Sequence, residues 1–480
     1  MTTQSTSPQP SLSDWSILRT NTLPVPGNRL YADWTASGRL YRPIEERLVD
    51  VAGPMMANTH TEDSLTGRYM TEALDQAHQI MRHHVNAAAE DVVLFTGTGM
   101  TGALAKLVRM LGLWVHETHR EAVLATLPHR PQVYVTHMEH HSNHTLWLET
   151  LAEVQIIPPT EAGTVDLDWL ADSLSRVPAD QPVLASVTAA SNVTGVAAPY
   201  RAIARLLHQA GGHCFVDFAC AAPYVDIDMH PTDDEPLDAV FFSPHKFLGG
   251  PGASGVLVFN QSLYHNRVPE QPGGGTVVWT NPWGEHRFYQ DIATRESGGT
   301  PGILQCLKAA MAAQLKDEID VNAIQQRERE LNQYFLQGLD RLPGIQCLAR
   351  EQADRLSVFS LVIEGVHYQQ AVQRLSHEFG IEARGGCACA GTYGHYLLNI
   401  DRATSRAITG QLDRGELAAK PGWVRLSFHP MMTTEDLDRI LIALEALASG
   451  WRAASSQPPL NMAQLWGGWT TNPSFDGRTL

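Results

Sequence analysis

Short apolar runs alternate with segments of helical periodicity in the first half of this chain. This alternation constrains the possible folds more than any other feature. The apolar runs lie at 91–95, 132–136, 154–158, 183–188, 213–218 and 239–242. Helical segments such as 168–174 and 200–209 separate them. Strands that alternate with helices predict a mostly parallel sheet with helices on both faces. Ligands of such sheets bind at the carboxyl ends of the strands, so the polar residues after each run are candidates for a site.

Three successive strand ends carry an asparagine, an aspartate and a lysine: Asn192, Asp217 and Lys246. A lysine buried at a strand end has a lowered pKa, which makes its amine a nucleophile able to form a Schiff base. A buried aspartate needs a cationic partner, and a protonated pyridinium nitrogen would be one. The stretch around Lys246, taken alone, is more typical of a solvated loop lysine beside glycines, so its neighbours decide between the two interpretations.

A glycine-rich turn follows the first of these strands. The sequence Thr-Gly-Thr-Gly-Met at 96–100 leads from the run at 91–95 into a helix through 103–113. Free N–H groups at a helix start and the helix dipole favour a phosphate, and glycines allow its close approach. The turn lacks the ending of a P-loop and the full dinucleotide fingerprint. A tight turn that simply requires glycine remains the alternative.

Four histidines follow the run at 132–136, namely His137, His140, His141 and His144. Their spacing of i, i+3, i+4 and i+7 predicts that they share one helical face. Histidine is the commonest metal ligand, so a metal site is one interpretation. No H-E-x-x-H pattern is present, however, and an imidazole at a strand end also suits stacking on a flat aromatic ligand.

Composition excludes several classes of function. The formal net charge of -16 argues against a nucleic-acid surface and against a polybasic membrane patch. No apolar run approaches the ~20 residues that span a bilayer. The first residues lack the pattern of a secretory signal. Six cysteines in 480 residues are not a disulfide framework, so we expect a reducing, cytoplasmic setting.

Two helix starts are visible in the second half of the chain. Glu-Ser-Gly-Gly-Thr-Pro at 296–301 predicts a long helix to about Ile319, with Thr300 as the N-cap and Pro301 at the first helical position. Thr-Thr-Glu-Asp at 433–436 has the form of a capping box in front of a leucine-rich helix.

An anion loop, an imidazole, an asparagine, a buried aspartate and a lysine, in this order, resemble the class V aminotransferase family of pyridoxal-5′-phosphate (PLP) enzymes, fold type I. The most similar branch is cysteine desulfurase/selenocysteine lyase, and the resemblance runs from about Arg29 to Ser449. It implies an α/β fold with PLP as cofactor. The implied parts are a large PLP-binding domain with the mostly parallel sheet (45–300) and a smaller α+β domain (29–44 and 301–450). Outside the resemblance, the Ser-, Thr-, Pro- and Gln-rich residues 1–28 predict a flexible arm, and the Trp-, Pro- and Gly-rich residues 451–480 form a tail without a family counterpart.

The resemblance also implies a role for each matching residue. Lys246 would form the Schiff base with PLP. The residues implied at the phosphate are Gly97, Thr98, Gly99, Ser243 and His245. His140 would stack on the pyridine ring and move protons, Asn192 would bind near the ring hydroxyl and the substrate, and Asp217 would pair with the ring nitrogen, so that the ring acts as an electron sink. Thr300 would reach the phosphate of a partner subunit, which implies a homodimer.

The reaction itself is indicated by Arg-Gly-Gly-Cys-Ala-Cys at 384–389. By resemblance, Arg384 holds the α-carboxylate of a small amino-acid substrate, a task that suits a guanidinium fork. Cys389 would take sulfur from cysteine as a persulfide and leave alanine, with a sulfur-acceptor protein as a possible partner. Cys387 is extra relative to most desulfurases. The Cys-x-Cys pair also resembles the sulfurase domain of molybdenum-cofactor sulfurases, and the two cysteines could relay sulfur or could be small buried residues.

Departures from the family pattern keep other reactions open. Cys220 stands where the family usually has glutamine, and the residues after Cys389 differ from the usual Ala-x-Pro. Another class V reaction, such as a β-lyase, epimerase or aminotransferase reaction, is therefore the second hypothesis. A metal-binding protein that uses the histidine cluster is a more distant third.

Overall fold

The computed structural model describes residues 14–59, 61–232 and 234–450. The tail at 451–480 and the first thirteen residues of the expected arm lie outside the described residues. The rest of that arm includes a helix, Trp15–Asn21, whose Leu18 is buried and whose Arg19 pairs with Asp436. Within the arm that the sequence predicts to be flexible, the helix Trp15–Asn21 is therefore packed against the fold.

The strands of the described residues are numbered here in chain order. They are β1 (Leu30–Tyr31), β2 (Asp91–Thr96), β3 (Gln132–Thr136), β4 (Glu153–Ile157), β5 (Val183–Thr188), β6 (His213–Asp217), β7 (Ala239–Phe242), β8 (Gly255–Asn260), β9 (Val277–Thr280), β10 (His286–Phe288), β11 (Ile345–Cys347), β12 (Val358–Ile363), β13 (Ile381–Glu382), β14 (Arg384–Gly386) and β15 (Trp423–Ser427).

The α-helices of the same residues follow the same numbering. They are α1 (Trp15–Asn21), α2 (Arg42–Glu46), α3 (Leu65–His84), α4 (Gly99–Met110), α5 (Glu117–Leu124), α6 (His141–Leu148), α7 (Leu167–Ser175), α8 (Tyr200–Gln209), α9 (Ile292–Arg295), α10 (Ile303–Ile319), α11 (Val321–Leu339), α12 (Tyr368–Phe379), α13 (Gly391–Leu397), α14 (Arg402–Asp413) and α15 (Thr434–Ala448). Within the described ranges, no helix is both long and apolar enough to cross a membrane.

A seven-stranded sheet forms the centre of the larger layer, in the order β2-β8-β7-β6-β5-β3-β4. Only β8 runs antiparallel to its neighbours, so the predicted mostly parallel sheet is confirmed. In the register of the ladders, Thr188 lies beside Asp217 and Asp217 lies beside Phe241. The ends of β5, β6 and β7 therefore meet at one edge of the sheet, as the order of the sequence motifs predicts.

Apolar side chains cover both faces of this sheet. Along β7, Ala239 and Phe241 belong to the cluster packed with α4, whereas Val240 and Phe242 belong to the core shared with α3, α8 and α10. All four are fully buried. Because successive side chains of a strand point to opposite faces, a strand covered on both sides needs a continuous apolar run.

A second, antiparallel sheet in the order β11-β12-β15-β14 carries the other part of the site. Arg384 in β14 pairs in register with Arg425 in β15. The segment after β1 lies alongside this sheet, since Asp33 forms a parallel bridge with Ser427. These contacts place Arg384, Arg425 and Asp33 together.

The structure confirms one predicted helix start and corrects the other. Thr433 and Asp436 form the capping box of α15. The predicted N-cap Thr300 is wrong, because α10 begins at Ile303 with Gly302 as its N-cap. Pro301 thus precedes the helix, and a residue before proline such as Thr300 is pushed toward extended backbone.

Asp238, just before β7, should stabilise the fold in a pH-dependent way. Its carboxylate accepts hydrogen bonds from His208 Nε2, His213 Nδ1 and the Cys214 N–H, each at 2.8 Å. Burial opposes its ionisation, but these bonds outweigh burial and lower the pKa of Asp238 to about 2. The hydrogen bond to Asp238 raises the pKa of His208 above its ordinary value.

Asp238→Asn should remove two contributions to stability that depend on pH in opposite directions. The lowered carboxylate pKa contributes stability above about pH 4 that is lost toward pH 2, and the raised histidine pKa contributes stability below about pH 6.5 that is lost at higher pH. We expect the variant to lower the free energy of unfolding by about 2 kcal/mol near pH 5–6, with a smaller loss at pH 8. Urea denaturation at both pH values measures this. Asp180→Asn is the matched control, because its partner His129 lies 3.6 Å away and both side chains are exposed; an equal loss in the control would contradict the prediction.

Candidate active site

A cavity of about 200 Å³ lies where β5, β6 and β7 end and β14 and β15 approach them. Most of the residues that the sequence predicts for a site line this cavity. They are Thr98, His140, Asn192, Asp217, Ser243, His245, Lys246, Arg384 and Cys389. Gly97, Gly99, Cys387 and Thr300 do not belong to its lining: the two glycines form the adjoining turn, Cys387 packs against the core, and Thr300 is exposed.

Lys246 ends a short 3-10 turn that directly follows β7, and its N–H donates to Ser243 O at 3.0 Å. The turn packs so closely that a Cβ at Gly250 would lie 1.8 Å from Pro244 O, which only glycine avoids. The pKa of Lys246 lies below its ordinary value, chiefly because of burial. Its amine is thus closer to the neutral, nucleophilic form than a solvated lysine.

Asp217 ends β6 and is buried. It accepts a hydrogen bond from the Ala219 N–H at 2.8 Å. Burial raises its pKa to about 6, against the opposing effects of that bond and of Lys246. A cationic ligand beside Asp217 would favour the ionised carboxylate and lower this pKa.

The predicted anion loop packs directly on the lysine turn. Gly99 starts α4 with φ 64°, and a Cβ there would lie 2.6 Å from Ser243 Oγ. Ser243 Oγ accepts the Met100 N–H at 2.9 Å. Thr98 is the N-cap of α4, yet its side chain makes no capping hydrogen bond. A free hydroxyl at a helix N-terminus that opens on the cavity suits a phosphate.

The two cavity histidines are uncharged at neutral pH. Burial, with a smaller effect of Lys246, lowers the pKa of His140 to about 3 and that of His245 to about 4. Nδ1 of His140 accepts the Ser142 N–H at 3.1 Å, so the neutral ring carries its proton on Nε2. An uncharged ring in this position can pack on an aromatic ligand.

The prediction that four histidines share one helical face is wrong. α6 begins only at His141, with His140 as its N-cap, and His137 is buried in the turn that precedes it. The side chain of His144 instead contacts Thr392. Among the described residues, no group of three His, Cys, Asp or Glu side chains is placed to hold a metal ion.

In the side-chain amide of Asn192, the nitrogen has a hydrogen-bond partner and the oxygen does not. Its Nδ2 donates to Ala388 O at 2.6 Å, while its buried Oδ1 has no partner within the described part of the chain. An unsatisfied buried amide oxygen costs roughly 1–3 kcal/mol. A ligand that donates a hydrogen bond to Asn192 would remove this cost.

Arg425 is a cavity residue that the sequence analysis missed. It is buried, donates through Nη1 to Asn192 O at 2.9 Å and through Nη2 to Asp33 Oδ1 at 2.7 Å. Asp33 also accepts from Nε of the half-exposed Arg384 at 3.1 Å. Two guanidinium groups share one carboxylate, which leaves net positive charge for a substrate carboxylate. A charged residue inside the apolar run 423–427 was the available signal, because a buried arginine needs partners.

The cysteine loop has an unusual backbone. Ala390 N–H donates to Cys387 O at 3.0 Å, and the two residues between them, Ala388 and Cys389, have φ values of 49° and 58°. This left-handed region is uncommon for residues other than glycine and marks strain. Cys389 is exposed and lines the cavity, whereas Cys387 is half-buried against the core.

Cys220 also lines the cavity but differs from Cys389 in character. It is buried, with Sγ 3.6 Å from Ser191 O. Burial raises the pKa of its thiol to about 11, so Cys220 is an uncharged thiol at neutral pH.

The residues present fit PLP. A lysine of lowered pKa, a helix start with a free hydroxyl, the buried Asp217 and the unpaired Oδ1 of Asn192 match the aldehyde, the phosphate, the ring nitrogen and the ring hydroxyl of that molecule. An uncharged imidazole completes the set.

The aminotransferase class-V family model matches residues 30–440. A probable cysteine desulfurase of Staphylococcus epidermidis is 26% identical over 419 residues, which cover 86% of this chain and 91% of the relative. A protein with the same description from Staphylococcus aureus is 26% identical over 426 residues, which cover 88% of this chain and 92% of that protein.

Solved structures share the fold. The apo cysteine desulfurase of Thermococcus onnurineus superposes with a TM-score of 0.73 at 21% identity, over 91% of this chain and 98% of the other. The cysteine desulfurase CsdA of Escherichia coli, in an S-sulfonic acid form, gives 0.72 at 22% identity, over 91% and 99%. These likenesses confirm the predicted fold.

Proposed function

Because this chain belongs to the aminotransferase class-V family, we propose that it is a PLP-dependent, cysteine desulfurase-like enzyme. It would convert L-cysteine, or a related sulfur or selenium amino acid, to alanine and hold the released sulfur on Cys389. The observation that carries this proposal is that Lys246 and Cys389 line one cavity with Arg384. The names of the staphylococcal relatives support the same reaction.

Different residues of the cavity would bind the aldehyde, the ring nitrogen, the ring hydroxyl and the phosphate of PLP. Lys246 would bond its aldehyde, Asp217 would face its ring nitrogen, and Asn192 would accept from its ring hydroxyl. The groups for the phosphate are Thr98, Ser243, His245 and the amides around Gly97 and Gly99. When bound, PLP supplies an electron sink that stabilises negative charge next to the substrate's amino group.

The remaining residues would orient the substrate and move protons. Arg384, held by Asp33 together with the buried Arg425, would bind the α-carboxylate. Lys246, with its lowered pKa, can take up the α-proton as a free amine. The uncharged ring of His140 would cover the aromatic ligand, with the proton of Nε2 available for a hydrogen bond.

Sulfur transfer would use the thiolate of Cys389. Its sulfur attacks the substrate's sulfur, an S–S bond forms and the substrate's C–S bond breaks. The electron pair of the broken bond stays with the amino-acid carbon, which takes up a proton and leaves as alanine. The product on the enzyme is a Cys389 persulfide, and the exposure of Cys389 allows an acceptor to reach it.

The assembly and the division into domains are part of the same proposal. Thr300 is exposed and outside the cavity of its own chain, which is compatible with a homodimer in which it contacts the partner's phosphate. A sulfur-acceptor protein would collect the sulfur. The large domain (45–300) would contain the seven-stranded sheet, and the small domain (29–44 and 301–450) would contain the sheet of β11, β12, β15 and β14.

Purified protein loaded with PLP should release alanine from L-cysteine. A thiol reductant in the assay should release an equal amount of sulfide, because it regenerates the Cys389 thiol. Alanine and sulfide are measured together, with L-selenocysteine as a second substrate. The absence of alanine from both substrates would refute the proposal.

A second candidate is another class V reaction, which the buried Cys220 favours because it stands where the family usually has glutamine near the ring. Turnover of a sulfur-free amino acid such as L-serine or L-aspartate, at a rate above that of L-cysteine, would support this candidate.

A further inference from the structure

The loop that carries Cys389 is held by a residue of the other layer. His141 uses its backbone and its ring: its N–H donates to Cys389 O at 2.7 Å, and its Nε2 accepts the Gly391 N–H at 2.8 Å. The two bonds bracket the cysteine. They join the loop between β14 and α13 to the start of α6, 250 residues earlier in the chain.

The loop needs such support. Ala388 and Cys389 both occupy the left-handed region, where residues with a Cβ are strained unless their surroundings hold them. The carbonyl of Cys389 in turn accepts a hydrogen bond from the His141 N–H at the start of α6, where a backbone N–H has no partner within the helix. Asn192 adds a third bond through Ala388 O.

We infer that His141 is a positioning residue that holds the Cys389 loop over the cavity through its two hydrogen bonds to Cys389 and Gly391, which together are called the latch. The latch requires an uncharged His141 ring. This inference rests on the proposed role of Cys389. Nε2 can accept from Gly391 only without its own proton, so protonation of the ring replaces an acceptor by a donor that faces another donor.

The surroundings of the ring favour the uncharged form. Burial, and then the positive charge of Lys420, lower the pKa of His141 below its ordinary value. His140 and His144 are titratable neighbours on the same segment, and the charge of His141 contributes to the lowered pKa of each. Cys389 faces His141 from the opposite loop, and Arg109 and Glu149 line a surface cavity together with His141. Because the pKa of His141 lies below the ordinary histidine value, the two bonds should remain intact at neutral pH and break only under acidic conditions.

Two variants separate this role from a general structural one. His141→Ala removes the acceptor, whereas His141→Gln can present its amide oxygen where Nε2 lies but cannot be protonated near neutral pH. His144→Ala is the matched control, because His144 lies on the next turn of α6 and contacts the side chain of Thr392 at 3.1 Å rather than the backbone of the cysteine loop.

Hydrogen exchange of the 388–393 peptide in the PLP-loaded protein measures directly how well these backbone hydrogen bonds are kept. Corrected for intrinsic rates, exchange should rise about tenfold in His141→Ala, which is the loss of about one hydrogen bond, and stay within about twofold in His141→Gln and His144→Ala. Wild-type protection should fall as the pH is lowered from neutral into the acidic range, and His141→Gln should lack this fall. With L-cysteine, His141→Ala should lower kcat about tenfold and leave KM within about twofold.

Unchanged protection in His141→Ala would overturn the inference, as would a fall in protection at low pH that His141→Gln retains. If His141→Ala does not fold, the pH series on the wild type and on His141→Gln decides alone. The exchange experiment needs no turnover, so failure of the latch is distinguishable from failure of the proposed reaction, which alanine release measures.

Discussion

Lys246→Ala should abolish turnover of L-cysteine, with a loss of at least about 1000-fold, and should remove the near-visible absorbance of the lysine-bound cofactor. The physical reason is that Lys246 is the lysine at the end of β7 that lines the cavity, with a pKa lowered mainly by burial. Absorbance and alanine release are measured on the same preparation after PLP loading. Lys246→Arg, which keeps a positive charge but cannot form the Schiff base, should show the same loss while keeping the fold.

Lys316 provides a matched control for this experiment. Lys316 is buried, and burial lowers its pKa to about 8. Its Nζ donates to Val225 O and lies 5.9 Å from the ring of Phe247, outside the cavity lining. Lys316→Met should keep the absorbance band. Loss of the band in Lys316→Met but not in Lys246→Ala would overturn the assignment of the nucleophilic amine.

Cys389→Ser should lower alanine release from L-cysteine by at least about 100-fold and leave the absorbance of bound PLP intact. A serine hydroxyl is not ionised near neutral pH and cannot form a persulfide, whereas the residues proposed to hold PLP do not include Cys389. Mass spectrometry of the wild-type peptide around residue 389 after a single turnover should show a gain of one sulfur atom.

Cys387→Ser is the matched control on the same loop. Cys387 is half-buried and packed against the core, outside the cavity lining, so this variant should keep activity within about fivefold. The reverse pattern, in which Cys387→Ser loses alanine release and Cys389→Ser keeps it, would exchange the roles of the two cysteines. Full activity of both variants on a sulfur-free substrate would favour the second class V reaction.

Much of the fold could be predicted because its signals are local. The buried strands of a parallel sheet are continuous apolar runs, and all six runs identified in the sequence correspond to strands of the large sheet. The glycine turn before α4 was recognisable for the same reason. Thr300 was misassigned as an N-cap because two residues, Pro301 and Gly302, suffice to delay a helix, and local propensity does not distinguish between adjacent starts.

The site was predicted less completely because part of it depends on contacts between distant segments. Arg425 reaches Asn192 across 233 residues of sequence, and Asp33 joins two arginines more than 350 residues away. The charged Arg425 within an apolar run signals a buried arginine that needs partners, but no pattern within one segment shows which distant residues those partners are. The prediction that the four histidines share a helical face was wrong for a related reason. Helical spacing predicts a shared face only if the helix includes all four residues, and α6 begins at the third.

The sequence by itself determined the order of chemical groups along the strand ends, because strand periodicity and the need to pair buried charge act within a few residues. It thereby placed Lys246, Asp217 and Asn192 at one edge of one sheet. Only the tertiary structure decided that Cys389 faces the cavity while Cys387 packs away from it, and that His141 and Asn192 hold the loop in between. The direction of a side chain in a strained loop depends on what the rest of the fold packs against it, and no pattern of neighbouring residues encodes that.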